Sequence, residues 1–423
     1  MKYSNLDVID INSIIFVSKE KQPSLPKQIG IFFAQLLYYS FIRRFKYKPI
    51  PEHYKGIVFL GVSINNQRSL DPIIEHLNEG EYLYLKNHKT DIHKRRAYWL
   101  SIPYLFDLIK TYKKADESTK PTIKRYFTRL WSTYGYYQLA KEYLEQYKVK
   151  VLIVSSDQGE FQRCLLMNAN ELKIKTIYVQ HASVSKGFPR LIATYSFLDG
   201  QESLDKYLFS GQPKGEVYLS GGVRFDPIFQ KYKPKKNEKV GIIGVAINML
   251  DDFESVKALC NTLLHYGFRL IIRPHPRYGG LNRAWLQESG IGFSDPQKET
   301  SFDFIDKIDM MVSNESAIHI DAALMSCPSV VYNFSVHPII DHYAYIKKGL
   351  VKVAGNEEQL LYMINHPQTM LPSKNILQYY NASCETQMEG HLGETIAEFI
   401  ETNCVGSNVK KDFPIQKLTT NQP

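Results

Sequence analysis

Two short runs carry most of the residues that could do chemistry. Arg273-Pro-His-Pro-Arg277 sets two guanidinium groups and an imidazole within one proline-stiffened segment. Arg grips phosphate oxygens in a forked, bidentate way. Imidazole, with an ordinary pKa of about 6.5, can hydrogen-bond a phosphate or give a proton to a departing one. Ser313-Asn-Glu-Ser316 stands just before a helix-like run, Ala317 to Leu324. Ser and Asn suit helix starts, whose unpaired N–H groups also attract anions. Arg273, His275, Ser313, Asn314 and Ser316 therefore form a candidate phosphate grip, with His275 also a candidate catalytic acid. Glu315 opposes an anion on charge and is expected on a ribose or sugar hydroxyl. The competing readings are an exposed turn for the first run and a plain helix cap for the second.

Two further runs could activate a hydroxyl. Gln180-His181-Ala-Ser183 offers an imidazole, and Ser156-Asp157-Gln-Gly-Glu160 offers two carboxylates. Asp157, Glu160 or His181 is the candidate general base, and the choice between them stays open. A structural histidine and a helix cap are the alternatives. His319 and Asp321 read as structural. Asp251-Asp252 lacks a third ligand and reads as a solvated helix start rather than a metal site. A Walker A run, a zinc pattern and a Gly-rich dinucleotide fingerprint are absent, since Gly241-Ile-Ile-Gly-Val does not fit the last. No metal and no cofactor is expected.

These runs need elements to hold them. Leu270 to Ile272 and Met310 to Val312 are apolar runs too short for helices, and Pro274 and Pro276 are expected to end the first ladder. Further strands are expected at 56–62, 82–85, 149–155, 176–179, 195–198, 217–219, 240–245, 291–293, 329–332 and 350–353, alternating with helices. Such alternation predicts α/β architecture: two Rossmann-like, doubly wound domains facing a cleft, with ligands at the strand carboxyl ends. Residues 1–232 form the expected acceptor-side domain, 233–239 the linker, 240–405 the nucleotide-donor domain and 406–423 a disordered tail. A chain of 423 residues fits two cores, and its +9 charge suits anionic partners (nucleotides, acidic glycans or an anionic membrane face), with a merely soluble basic surface as the alternative. Five scattered cysteines read as reduced thiols, and the first residues lack a signal peptide's apolar core, so a cytoplasmic protein is expected. Gly30 to Phe45, apolar from Ile31 to Ile42 and closed by the cationic end Arg43-Arg-Phe-Lys-Tyr-Lys48, reads first as a core or interdomain helix. The alternative is an interfacial anchor on the anionic inner-membrane surface.

Arg273-Pro-His-Pro276, the Ser313 to Leu324 segment, and Pro328-Ser-Val-Val-Tyr-Asn-Phe334 followed by Asp341-His-Tyr-Ala-Tyr345 resemble bacterial surface-polysaccharide glycosyltransferases of the GT-B type. The likeness is to the capsule, lipopolysaccharide and polysialic-acid enzymes, with CDP-glycerol polymerases as cousins. It covers the second domain, with Gln180-His181 in support from the first. It implies a nucleotide-sugar donor, a glycan or lipid-linked acceptor and no nucleic acid. By resemblance to the sialyltransferase branch, His275-Pro276 contacts the nucleotide phosphate, and Ser313 and Ser316 match its serine motif. That branch's acidic-acidic-Gly base motif is met only by Asp157-Gln158-Gly159, with Gln where an acid would stand. A CDP-polyol phosphotransferase of teichoic-acid type and a non-catalytic GT-B-like scaffold are the other functions to separate.

Overall fold

The computed structural model describes residues 24–41, 45–86, 90–234 and 239–406, and the backbone of 416–418. The centre of the expected linker, most of the expected tail, and the cations Arg43, Arg44 and Lys89 lie outside the described residues. The chain forms two compact units, one of residues 1–226 with 387–423 and one of residues 227–386.

In the first unit the order is α1 (Leu25–Phe41), β1 (Ile57–Leu60), α2 (Ile64–Ile74), β2 (Tyr82–Leu85), α3 (Lys94–Ser101), α4 (Leu105–Lys114), α5 (Lys120–Arg125) and α6 (Phe127–Gln146). Then come β3 (Val151–Val154), α7 (Glu160–Glu171), β4 (Lys175–Val179), β5 (Tyr195–Leu198), α8 (Gln201–Tyr207) and β6 (Glu216–Leu219). The strands are largely apolar, β1 and β3 wholly so, because helices cover both faces of a parallel sheet. Residues of β1, β3 and β4, such as Phe59, Ile153 and Val179, share one core. A second, aromatic cluster centres on α6: Trp131 stacks on Phe32 of α1 at 3.7 Å and 14°. Gly135 makes the α3–α6 crossing possible, since a Cβ there would lie 1.7 Å from the Ala97 carbonyl oxygen.

A short helix, α9 (Asp226–Lys231), spans the unit boundary. The second unit runs β7 (Ile242–Ile247), α10 (Phe253–His265), β8 (Arg269–Pro274), α11 (Arg283–Glu288), β9 (Gly292–Phe293), α12 (Ser301–Asp306), β10 (Met310–Ser313), α13 (Ile318–Leu324), β11 (Ser329–Tyr332), β12 (Lys352–Ala354), α14 (Glu357–Asn365) and α15 (Lys374–Tyr380). The chain then returns to the first unit as α16 (Leu392–Phe399) and β13 (Gln416–Leu418).

Two Rossmann-like, doubly wound α/β units are thus present. The first sheet has the order β13-β6-β5-β4-β3-β1-β2 and the second β12-β11-β10-β7-β8-β9, all parallel except β13. In the first, strand order reverses between β1 and β3. In the second it reverses between β7 and β10, and counting from β7 the order is 3-2-1-4-5-6.

Three details differ from the sequence expectation. Strand β8 runs through Pro274, which pairs in register with Ile247, and the His275 N–H then donates to the Ile247 carbonyl at 2.8 Å. At the end of a strand the missing proline N–H removes nothing the ladder needs. Residues 387–406 belong to the first unit rather than the second, because Leu392, Ile396, Phe399 and Ile400 fill its core. Within the expected tail, 416–418 pairs antiparallel with β6 at the sheet edge.

Candidate functional site

The second unit carries its candidate site at the carboxyl ends of β7, β8, β10 and β11. A cavity of about 290 Å³ opens there, lined among others by Asn248, Asp251, His275, Asn314, Glu315 and His337. Asn248 directly follows β7 and Asn314 directly follows β10, so the two flank the point where strand order reverses. That is where open α/β sheets leave a crevice for ligands. Leu250 and Ile340 stand exposed at the rim. A second cavity of about 180 Å³ lies between the loops after β8 and β9, with Tyr278, Arg283, Phe293 and Asp295 in its wall. His275 lines both.

His275 owes its place to Pro274 and Pro276, which fix the chain direction as it leaves β8. Its Nδ1 accepts the Arg277 backbone N–H at 3.2 Å, which puts the proton of the neutral ring on Nε2. Burial, helped by the Arg277 charge, lowers its pKa below the ordinary histidine value. The neutral ring is therefore the resting form near neutral pH, a hydrogen-bond donor rather than a ready acid.

The rest of the expected grip is arranged differently. Arg273 turns toward the β9 loop, where its guanidinium donates to Ser294 Oγ at 2.8 Å and to the Glu299 carbonyl at 3.0 Å. Ser313 is 1% exposed and donates to the Ala246 carbonyl at 2.8 Å, so its hydroxyl is walled off. Ser316 Oγ accepts the Ile318 N–H at 3.5 Å and is outside the cavity wall. Neither Ser313 nor Asn314 caps the helix: α13 starts later, at Ile318, with Ala317 in the cap position and no side-chain cap. Asn314 is in the wall, but its amide donates to Asp251 at 2.8 Å. Glu315 is in the wall too. Its carboxylate accepts the N–H groups of Asp341 and His342, which clamps the 341–346 loop rather than leaving Glu315 for a sugar hydroxyl.

Asp251, expected as a solvated helix start, is buried and accepts the Asn248 N–H at 2.6 Å. Burial raises its pKa against those hydrogen bonds. Asp252 is the residue that caps α10, accepting the Ser255 N–H at 2.9 Å. His337 was not among the sequence candidates. Its signal was available, since it sits in the loop that follows β11 and strand-end loops are where ligands meet such sheets. His319 is wholly buried between Ser329 Oγ and the Asn314 carbonyl, at 3.2 and 3.1 Å, and burial pulls its pKa down to about 4.

In the first unit the three candidate bases sit near the ends of β3 and β4 but differ in state. Asp157 is 1% exposed and lies 3.6 Å from the Arg163 guanidinium. Glu160, in the first turn of α7, pairs with Arg129. His181 is half-buried, and its Nδ1 is buried with no hydrogen-bond partner. Burial and the Arg224 charge lower its pKa to about 4, against a hydrogen bond to the Ser155 backbone. Around it the strand ends are filled with ion pairs. Arg224 forks onto Asp199, with one bond at 2.9 Å, and Glu202 pairs with Lys206. Gln180 ties the set together, accepting the Asp199 N–H and donating to Ser203 Oγ, both at 2.9 Å.

Among the described residues no group of three or more His, Cys, Asp or Glu side chains is placed to hold a metal ion. Nor is any described helix long and apolar enough to cross a membrane.

No family model matches the chain, and no curated protein matches it by sequence. Solved structures do resemble it. UDP-GlcNAc 2-epimerase from Neisseria meningitidis, bound to UDP-GlcNAc, aligns over 82% of this chain and 99% of its own at 14% identity, with a TM-score of 0.47. The glycotransferase of kitacinnamycin covers 84% of this chain and 100% of its own at 10% identity, TM-score 0.49. The lipopolysaccharide outer core galactosyltransferase WaaB in its apo form covers 82% and 98% at 9% identity, TM-score 0.42. At these identities and scores, none passes an activity, a substrate or a residue role to this chain.

Proposed function

We propose that the chain is a metal-independent, nucleotide-sugar-dependent glycosyltransferase of GT-B type, extending a bacterial capsule or lipopolysaccharide glycan. The observation that carries this reading is the position of His275 in the walls of two cavities, one at the order-reversal point of the second sheet and one beside it between the β8 and β9 loops. A two-part ligand joined by phosphate suits that layout, with nucleoside in one cavity and sugar in the other. Each cavity alone is at or below the usual lower bound of roughly 300 Å³ for small-molecule sites, so the pair serves better as one site. The Nε2–H of His275 then donates to a phosphate oxygen as charge develops on the leaving nucleotide. With Arg273 held by Ser294 and Glu299, His275 carries more of that load than the sequence alone suggested. His337 adds a second imidazole.

On the acceptor side, His181 is the best-suited base of the three. It is neutral at physiological pH with an uncommitted ring nitrogen, whereas Asp157 and Glu160 each sit beside an arginine. No cofactor beyond the donor is required. The acceptor is a glycan or a lipid-linked glycan, and the protein works at the inner face of the membrane.

Thermal shift with CMP, CDP, UDP and GDP tests the donor site. One of them at saturating concentration should raise the melting temperature by several degrees, by mass action on the folded state. His275→Ala should remove most of that rise. If no nucleotide shifts the wild-type protein, the reading falls. Product analysis with the activated donor then separates the functions. A glycosyltransferase releases a nucleotide stripped of its sugar. Phosphotransfer from a CDP-polyol releases CMP with the other phosphate moved. Binding without turnover means a scaffold.

A further inference from the structure

We propose that the outward face of α1 is a docking surface for an anionic lipid bilayer, with the helix lying in the plane of the headgroups. The helix is firmly held on its inner side. Gln28, Phe32 and Leu36 are buried, the Thr128 hydroxyl donates to the Gln28 carbonyl at 2.8 Å, and the Tyr98 hydroxyl donates to Gln35 at 2.5 Å. The expectation of a core helix is therefore met on one face only. On the other face Ile31, Phe33, Leu37, Tyr38 and Phe41 are exposed, Phe41 by 84% and Leu37 by 56%. Between Gln28 and Phe41 there is no charged residue at all. A helix covering a water-soluble core normally turns polar residues outward. This one is apolar on both sides, which leaves an unpaid hydration cost unless something covers it.

Charge decides what covers it. Residues 24–48 hold five basic and no acidic residues, and α3 through α5, residues 94–125, hold nine basic and three acidic. The surplus of these two stretches exceeds the +9 of the entire chain, so the remainder is slightly acidic. Both stretches pack on the same aromatic cluster around α6. One cation touches α1 directly: Lys94 Nζ lies over the Tyr39 ring at 5.2 Å. The Gln28 amide also ties the helix to the basic stretch through the Lys124 carbonyl. A second copy docking here would bring two such surpluses face to face, which like-charge repulsion opposes. An anionic bilayer supplies both what the apolar face needs and what the basic surround attracts: aromatic and aliphatic side chains enter the acyl boundary while Lys and Arg meet headgroup phosphates. The helix is not of the length and hydropathy needed to span, so it lies on the surface.

The test is flotation of the full chain with vesicles of phosphatidylcholine alone and of phosphatidylcholine with phosphatidylglycerol, at low and high salt. Binding is expected only with phosphatidylglycerol, and weaker at high salt as screening shortens the attraction. Leu37→Asp combined with Phe41→Asp, both at exposed sites, should lower partitioning at least tenfold with an unchanged circular dichroism spectrum. Lys27→Glu with Lys46→Glu should lower it by roughly tenfold or more. No binding to phosphatidylglycerol vesicles overturns the proposal, as does undiminished binding by the Asp variant. So does a concentration-dependent dimer, seen by sedimentation velocity, that the Asp variant abolishes, since the face would then belong to a second copy. The readout is lipid binding, so it stands or falls separately from the donor site in the second unit.

Discussion

The two units share one architecture and use their strand ends in opposite ways. In the second unit the ends of β7, β8 and β10 leave an open cavity with Asn248, His275, Asn314 and His337 among apolar side chains in its wall, and with Asp251 and Glu315 tied down by backbone N–H groups. In the first unit the ends of β3 to β6 are packed with charge: Asp157 beside Arg163, Asp199 with Arg224, Glu202 with Lys206. The difference teaches that charged residues at a strand end are not themselves a site. Where both partners of a pair are present and buried, the charges fill space and hold loops. Where polar groups line open volume, a ligand has somewhere to go.

The largest effect expected from this contrast is on turnover. If His181, with its unpartnered Nδ1, is the base, His181→Asn should lower kcat by about 10²–10⁴-fold and leave nucleotide binding unchanged. An equal loss from Asp157→Asn, with the fold intact, would move the base into the ion-paired set. Next is stability. Asp199→Ala leaves Arg224 without its forked partner in a largely buried place and should cost about 3–5 kcal/mol in urea unfolding. The matching change in the second unit, His275→Ala, should stay within about 0.5 kcal/mol in the same measurement. Its cost should appear instead in nucleotide affinity, by roughly tenfold to a hundredfold, the worth of a hydrogen bond to a charged group. If both variants lose stability alike, the contrast between filler and site is wrong.

A smaller effect distinguishes a third kind of carboxylate. Asp226 accepts the Gly393 N–H at 2.6 Å at the start of α16, and burial raises its pKa to about 7 from 3.8, against the backbone N–H groups of Gly393 and Leu392. The folded state thus keeps a proton that the unfolded chain has already lost. Its stabilising contribution is complete below 3.8 and is lost as pH rises to about 7. Asp226→Asn should therefore raise Tm by a few degrees above neutrality and by progressively less toward acid. A gain independent of pH would show that the carboxylate is not charged there.

Much of the fold could be read from the chain, because buried parallel strands leave unbroken apolar runs such as Ile57-Val-Phe-Leu60 and Val151-Leu-Ile-Val154. Short helices such as α11 and α12 escaped, since six residues give no periodicity to find. The site was half legible. His275 was flagged by its prolines and stands in the cavity wall. The commitments of Arg273, Ser313 and Glu315 were not visible, because each is decided by a partner 21 to 67 residues away that the local spacing does not name. The outward half of α1 was hidden for another reason: an apolar run says nothing about how much of it finds a partner.

The return of α16 to the first sheet has a consequence for biogenesis. Phe399 closes on Tyr195, Phe197 and Tyr218 at ring distances of 5.0, 5.2 and 5.5 Å. During synthesis those three rings emerge long before their cover does, so this core waits, open on one side, until the second unit and α16 have been made. A message truncated after the second unit would release a product with an exposed aromatic groove, a natural target for chaperones and proteases.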